Sequence, residues 1–131
     1  MSIAEFREAT TNNGPHDDST WPAALDALVA AAAHHRLLLE NEHVRVLETV
    51  IPPGERTADH THRWPSVQYV CSWSDFIRRD GNGHVMLDSR TAITPEVGAV
   101  LWSEPYPVHS VENIGTAKLR VIALEIKATH T

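Results

Sequence analysis

Lysine is nearly missing from this chain: of eleven basic residues only Lys118 and Lys127 are lysines. Cysteine is rarer still. The single Cys71 excludes an intrachain disulfide framework and any cysteine-rich zinc site. Positive charge is in deficit as well. Seventeen acidic residues give a formal net charge of −6 and a sequence pI near 5.8, which disfavours non-specific binding to nucleic acid or anionic membranes. The longest apolar run, 27–33, falls far short of a membrane span. The first twenty residues are polar, carry Glu5, Arg7, Asp17 and Asp18, and have no apolar core, so they predict no signal peptide. A reducing cytoplasm is the expected compartment.

What remains is an ordinary globular balance, 42% hydrophobic and 21% charged, in 131 residues. That length suits one compact domain. Residues 1–20 read as a loosely packed arm. From Pro22 to about His35 the pattern is helical, with Leu25, Leu28, Val29 and Ala32 on one face. After Leu39 the texture turns to strands. His43–Ile51, Ser66–Ser72, Trp73–Arg79, His84–Leu87, Ala99–Trp102, Val108–Val111 and Leu119–Ile126 are separated by turn signals such as Pro52-Pro53-Gly54 and Asp80-Gly81-Asn82-Gly83. About eight short strands and one helix predict an all-β sandwich or barrel. The expected organisation is an arm and helix over 1–38, followed by a β-barrel domain over 39–127.

The unusual abundance is of histidine, nine in all. His60 and His62 are one residue apart in an extended context, so both project from one face, about 6–7 Å apart along the backbone. His109 begins another strand. Three neutral imidazoles from two strands can hold one ion and leave open positions opposite. Histidine pairs at this spacing also occur on solvated surface strands, and that bland alternative stands beside the ligand reading. His34 and His35 are read as residues of a helix C-terminus, where partial positive charge is favourable. His16 and His130 fall in terminal arms, and His43 and His84 beside turns; none of these six is assigned to a metal.

Spacing favours the ligand reading. Gly54-x5-His60-x-His62 matches the opening of the first cupin motif, and Gly98, His109 and Asn113 echo the second at the correct separations. Over about Leu39–Lys127 the sequence resembles the cupin superfamily, in particular its short single-domain bacterial members. The resemblance implies an antiparallel jelly-roll barrel, a double-stranded β-helix, with the N-terminal helix outside it. It also implies one divalent transition metal on His60, His62 and His109, and a homodimer.

The departures are specific. The family's glutamate would fall at Ser66 or Val67, neither of which can ligate as a carboxylate. Gln68 is one residue late and by alternation should point away, unless a bulge at Pro65 turns it in as an additional contact. Glu104 occupies the second motif's proline slot, where it could restore a carboxylate or simply belong to a loop. Three histidines alone leave the ion at +2, which favours anionic ligands and acidifies bound water. Fe(II) is the leading ion, with Zn, Ni, Mn or Cu as alternatives.

Trp64, Tyr69, Trp73, Trp102 and Tyr106 cluster in sequence near the proposed ligands, as pocket lining or as plain core. Tyr69, expected to face inward, and Tyr106 carry hydroxyls that could serve a substrate. Arg56 shares parity with His60 and His62, so it could clamp a carboxylate or form a rim ion pair. Cys71 is expected to be a small buried residue. The resulting expectation is a metalloenzyme for a small organic acid or dicarbonyl-like compound, with oxygen activation by a dioxygenase leading. Redox-neutral Lewis-acid chemistry (isomerase, cyclase or hydrolase) and non-catalytic binding of a metal or small molecule are the alternatives.

Overall fold

The computed structural model describes residues 20–127. Asp26 divides the N-terminal segment. It follows a 3-10 turn, Ala23–Leu25, and its carboxylate accepts from the Leu28 amide to cap a single helical turn, α1, Ala27–Ala30. The alanine run would sustain a longer helix by propensity alone, but packing overrides it. Ala27 and Ala31 are buried, while Val29 and Ala32 are exposed, so the buried face differs from the expected one. By His35 the chain is already a strand.

Nine strands follow: β1 His35–Glu40, β2 Val44–Ile51, β3 His60–His62, β4 Ser66–Ser72, β5 Phe76–Asp80, β6 Val85–Asp88, β7 Val100–Ser103, β8 Tyr106–Asn113 and β9 Leu119–Ile126. β4 and β9 have the bounds that their β-branched runs predict. β1 replaces the end of the expected helix and crosses the expected boundary at residue 38. It pairs with β2 through the Asn41 turn, whose side chain accepts from the amides of His43 and Val44.

The strands form two antiparallel sheets, ordered β1-β2-β9-β4-β7 and β3-β8-β5-β6. The expected barrel is therefore corrected to an open sandwich. Edge strands β1 and β7 of one sheet are not paired with β3 or β6 of the other, so the ladders do not close. The core lies between the sheets. Ile51, Phe76 and Leu119 form its centre, with Trp73, Leu87, Val111 and Val121 packed against them. Among the described residues no helix is long and apolar enough to cross a membrane.

Three motif residues have structural duties. Gly54 and Gly98 hold φ of +82° and +89°, values that side chains beyond glycine rarely adopt. Asn113 is fully buried and uses all four of its hydrogen-bonding positions. Its amide donates to the carbonyls of Ile51 and Ala117, and its oxygen accepts from Ser74 Oγ and the Gly115 amide. This side chain ties β2, β8 and the turn into β9 together beside the cavity.

Candidate metal centre

The register of β3 on β8 builds the site. His60 lies directly across from His109, and a shift between His60 and His62 sets His62 opposite Tyr106. A cross-strand pair carries its side chains on one face, and the His60 and His109 ring centroids are 4.4 Å apart. His62 stands 4.9 Å from His60 and 5.5 Å from His109. The three predicted ligands thus converge between the sheets.

A fourth histidine joins them from the facing sheet. His35, assigned by sequence to a helix end without a metal role, is instead the first residue of β1, paired with Thr49 and buried. Its ring is 4.6 Å from His60 and 5.4 Å from His62. One ring nitrogen from each of His35, His60 and His62 lies within 4.8 Å of the other two, so these three could hold a metal ion. The signal available in the sequence was Asn41 between two apolar runs, which reads as a hairpin turn once 35–40 is taken as a strand.

Each imidazole is held through Nδ1. His35 Nδ1 donates to the Ala31 carbonyl at 3.0 Å, His60 to Ala58 at 2.7 Å and His109 to Pro107 at 2.8 Å. His62 Nδ1 donates to Glu125 Oε2 at 3.1 Å. Carbonyls and carboxylates only accept, so Nδ1 carries a proton in each ring and Nε2 is the nitrogen left to ligate. A metal-ligating histidine commonly donates its other ring N–H in this way. Burial, with the neighbouring histidines adding to it, lowers the His60 pKa to about 3 and that of His35 to about 4, and holds His109 well below its ordinary value.

These shifts have a sign. An unfolded histidine takes up a proton near pH 6.5, whereas His35 and His60 resist one until far lower. Between those values the unfolded chain binds more protons, so stability falls as pH falls. Metal-free protein is expected to lose urea resistance progressively from about pH 6.5 towards pH 4, measured as the unfolding midpoint across a pH series.

Glu125 was not anticipated by sequence. It pairs across the β4–β9 ladder with Ser66, one of the two positions where the family's glutamate would stand. The carboxylate has in effect moved one strand over, where it holds His62. Its other oxygen accepts from Arg45 Nε at 2.7 Å, and Arg45 forms two bonds of 2.9 Å to Asp26. Burial raises the Glu125 pKa, but the His62 and Arg45 contacts outweigh that and the net shift is downward. The relay Asp26–Arg45–Glu125–His62 thereby joins the helix cap to the site.

The cavity between the sheets has a volume of about 130 Å³ and is lined by all four histidines. Trp73, Phe76, Leu101 and Val111 make much of its wall apolar, with Arg78 and Tyr106 among its polar members. The Tyr106 hydroxyl accepts from Arg78, whose guanidinium lies 4.4 Å over the tyrosine ring. The Tyr106 ring is 4.8 Å from His109.

Other expected lining residues lie elsewhere. The inward residues of β4 are Ser66, Gln68 and Val70, so Tyr69 takes the opposite parity and is 48% exposed. The same alternation turns Gln68 inward without a bulge, and its amide donates to Ser66 Oγ. Residues 52–59 are not a regular strand, which breaks the parity assumed for Arg56. Thr57 lines the cavity, while Arg56 is exposed and donates to Ser110 Oγ. Glu104 is buried against Trp102 Nε1, outside the cavity lining. Trp64 is stacked by Arg45 and Arg63. Cys71 is only partly buried and also lies off the cavity wall. His16 and His130 fall outside the described residues.

Solved structures share this arrangement of sheets. A cupin domain from Bordetella pertussis Tohama I aligns with a TM-score of 0.59 at 22% identity, over 72% of this chain and 92% of that one. This is a cupin fold. An RmlC-like cupin from Methanocaldococcus jannaschii matches at TM-score 0.51 and 14% identity, over 70% and 77% of the two chains. A double-stranded β-helix protein from Klebsiella pneumoniae subsp. pneumoniae matches at 0.50 and 19%, covering 96% of this chain and 87% of its own. No protein-family model and no curated protein matches the sequence. The cupin sandwich explains why histidines so far apart in sequence meet: β3 and β8 are adjacent in one sheet, and β1 faces them from the other.

Proposed function

We propose that this cupin is a metal-dependent dioxygenase of a small organic acid, with the ion held by His60, His62 and His109. The observation that carries the reading is the common orientation: three imidazoles, each anchored through Nδ1, with Nε2 left to ligate. Imidazole donors suit Fe, Zn, Ni and Cu, and add no negative charge. Held by neutral donors alone, a divalent ion would keep its positive charge and favour a carboxylate or enolate-like ligand.

When bound, a redox-active ion supplies electrons and open coordination positions for oxygen chemistry. Both oxygen atoms enter the organic substrate, so no external reductant is needed. The chain's own part is to enclose, exclude and orient. A cavity near 130 Å³ admits a ligand of roughly benzene size. Trp73, Phe76 and Leu101 give it apolar walls, and Arg78 holds the hydroxyl of Tyr106, whose ring lies against His109. The same reading takes the protein as a cytoplasmic homodimer.

The test is metal analysis of purified protein followed by oxygen uptake with short-chain acids and dicarbonyl compounds. Iron-loaded protein is expected to consume oxygen only when a substrate is added. Tightly held zinc with no uptake would replace the oxygenase with Lewis-acid chemistry or ligand binding.

A further inference from the structure

The first motif lacks its usual carboxylate, and the structure sets a histidine from outside both motifs against His60 and His62. We infer that His35 binds the same ion from β1, completing a centre of four neutral imidazoles and no anionic donor. This rests on the reading of His60, His62 and His109 as ligands.

Distance supports it first. Imidazoles bound to one ion at about 2.1 Å, with angles of about 90–110° between them, carry ring centroids about 4.5–5.5 Å apart. Five of the six ring pairs among His35, His60, His62 and His109 span 4.4–5.5 Å, the sixth being His35 with His109. His35 touches both His60 and His62, as His109 does. Hydrogen bonding supports it second. The Ala31 carbonyl accepts a hydrogen bond from His35 Nδ1–H, so the ring offers Nε2 as the other three do. A histidine buried only to fill the core gains nothing from turning a lone pair towards other lone pairs, which repel. A cation converts that repulsion into coordination.

The carboxylate's location supports it third. Glu125 stands across from Ser66 but is occupied by His62 and Arg45, so its charge acts on the ion through an imidazole. No carboxylate is then left for the ion, and His35 brings a further nitrogen to the cluster from the facing sheet. With nitrogen donors alone the centre selects Co, Ni, Cu, Zn or Fe(II) over Mn and Mg, which prefer oxygen.

The test uses Co(II) as probe, titrated into metal-free protein and followed by calorimetry and visible absorption. His35→Gln retains an amide that can donate to Ala31, and His35→Ala removes the ring entirely. Both are expected to bind Co(II) at least about 10-fold more weakly and with shifted d–d bands. His34→Ala, whose imidazole is paired with Glu55, is expected to match the wild type. Unfolding of each metal-free variant checks the fold, and His35→Gln carries the test if the alanine variant does not fold. Wild-type affinity and spectrum in both His35 variants, with binding lost in His60→Ala, would overturn the role of His35 and leave the three-histidine reading standing. Full binding in His60→Ala would remove that reading and this inference together.

Discussion

Glu125→Ala is expected to destabilise the protein by about 3–5 kcal/mol and to weaken metal binding by about 10–100-fold. Glu125 is 1% exposed and accepts from two donors that are themselves largely enclosed. Removing its carboxylate leaves Arg45 Nε and His62 Nδ1 without their acceptor, and opens a hole where the side chain packed. Arg45 keeps both bonds to Asp26, which limits the loss to part of the relay. Glu125→Gln separates the two effects. Its oxygen can still accept from Arg45, but its NH₂ then meets the His62 N–H, donor against donor. Stability should recover in large part, whereas metal affinity should stay low because His62 can no longer hold its ring and tautomer. Urea unfolding of metal-free protein reads the first effect and a competitive Zn(II) titration the second. Wild-type zinc affinity in both variants would show that Glu125 does not position His62.

His60→Ala is expected to abolish the centre, with a loss in divalent-metal affinity on the order of 100-fold or more. His60 is at the middle of the cluster, within ring contact of His35, His62 and His109. It is also nearly inaccessible to solvent, so no other group can take its place. A ligand that binds only the folded state raises stability by about 2.7 kcal/mol at a hundred times its Kd. Wild-type protein should therefore melt at clearly higher temperature in Zn(II), and the variant should show little or no shift. Its metal-free melting temperature is the control, since that reports the packing lost with the ring. An undiminished zinc-dependent shift in His60→Ala would place the ion elsewhere.

The legible and illegible parts of this site differ in a physical way. His60 and His62 could be paired from sequence because two residues of one strand share a face whatever the fold. His109 could be added because the motif spacing encodes which strand lies beside β3. Tyr69 and Arg56 were misdirected by the same alternation rule, applied where its phase was unknown. β4 turns Ser66, Gln68 and Val70 inward, and the segment before β3 is too irregular to carry parity from His60 to Arg56. His35 was hidden by an alanine run with strong helical propensity, which the packing of Ala27 and Ala31 cuts short. Glu125 was hidden because its importance lies in a cross-strand neighbour, Ser66, nearly sixty residues earlier in the chain.

The sequence alone determined that this chain is a β protein, and it brought three histidines forward as candidate ligands of one ion. Composition, periodicity and turn residues are local properties, so they survive reading in one dimension. Tertiary structure decided that the sandwich stays open, that His35 joins the cluster, and that the carboxylate missing from β4 stands behind His62 on β9. Those outcomes depend on the phase of each strand and on which strands become neighbours. Both are settled only when the two sheets bury their apolar faces against each other.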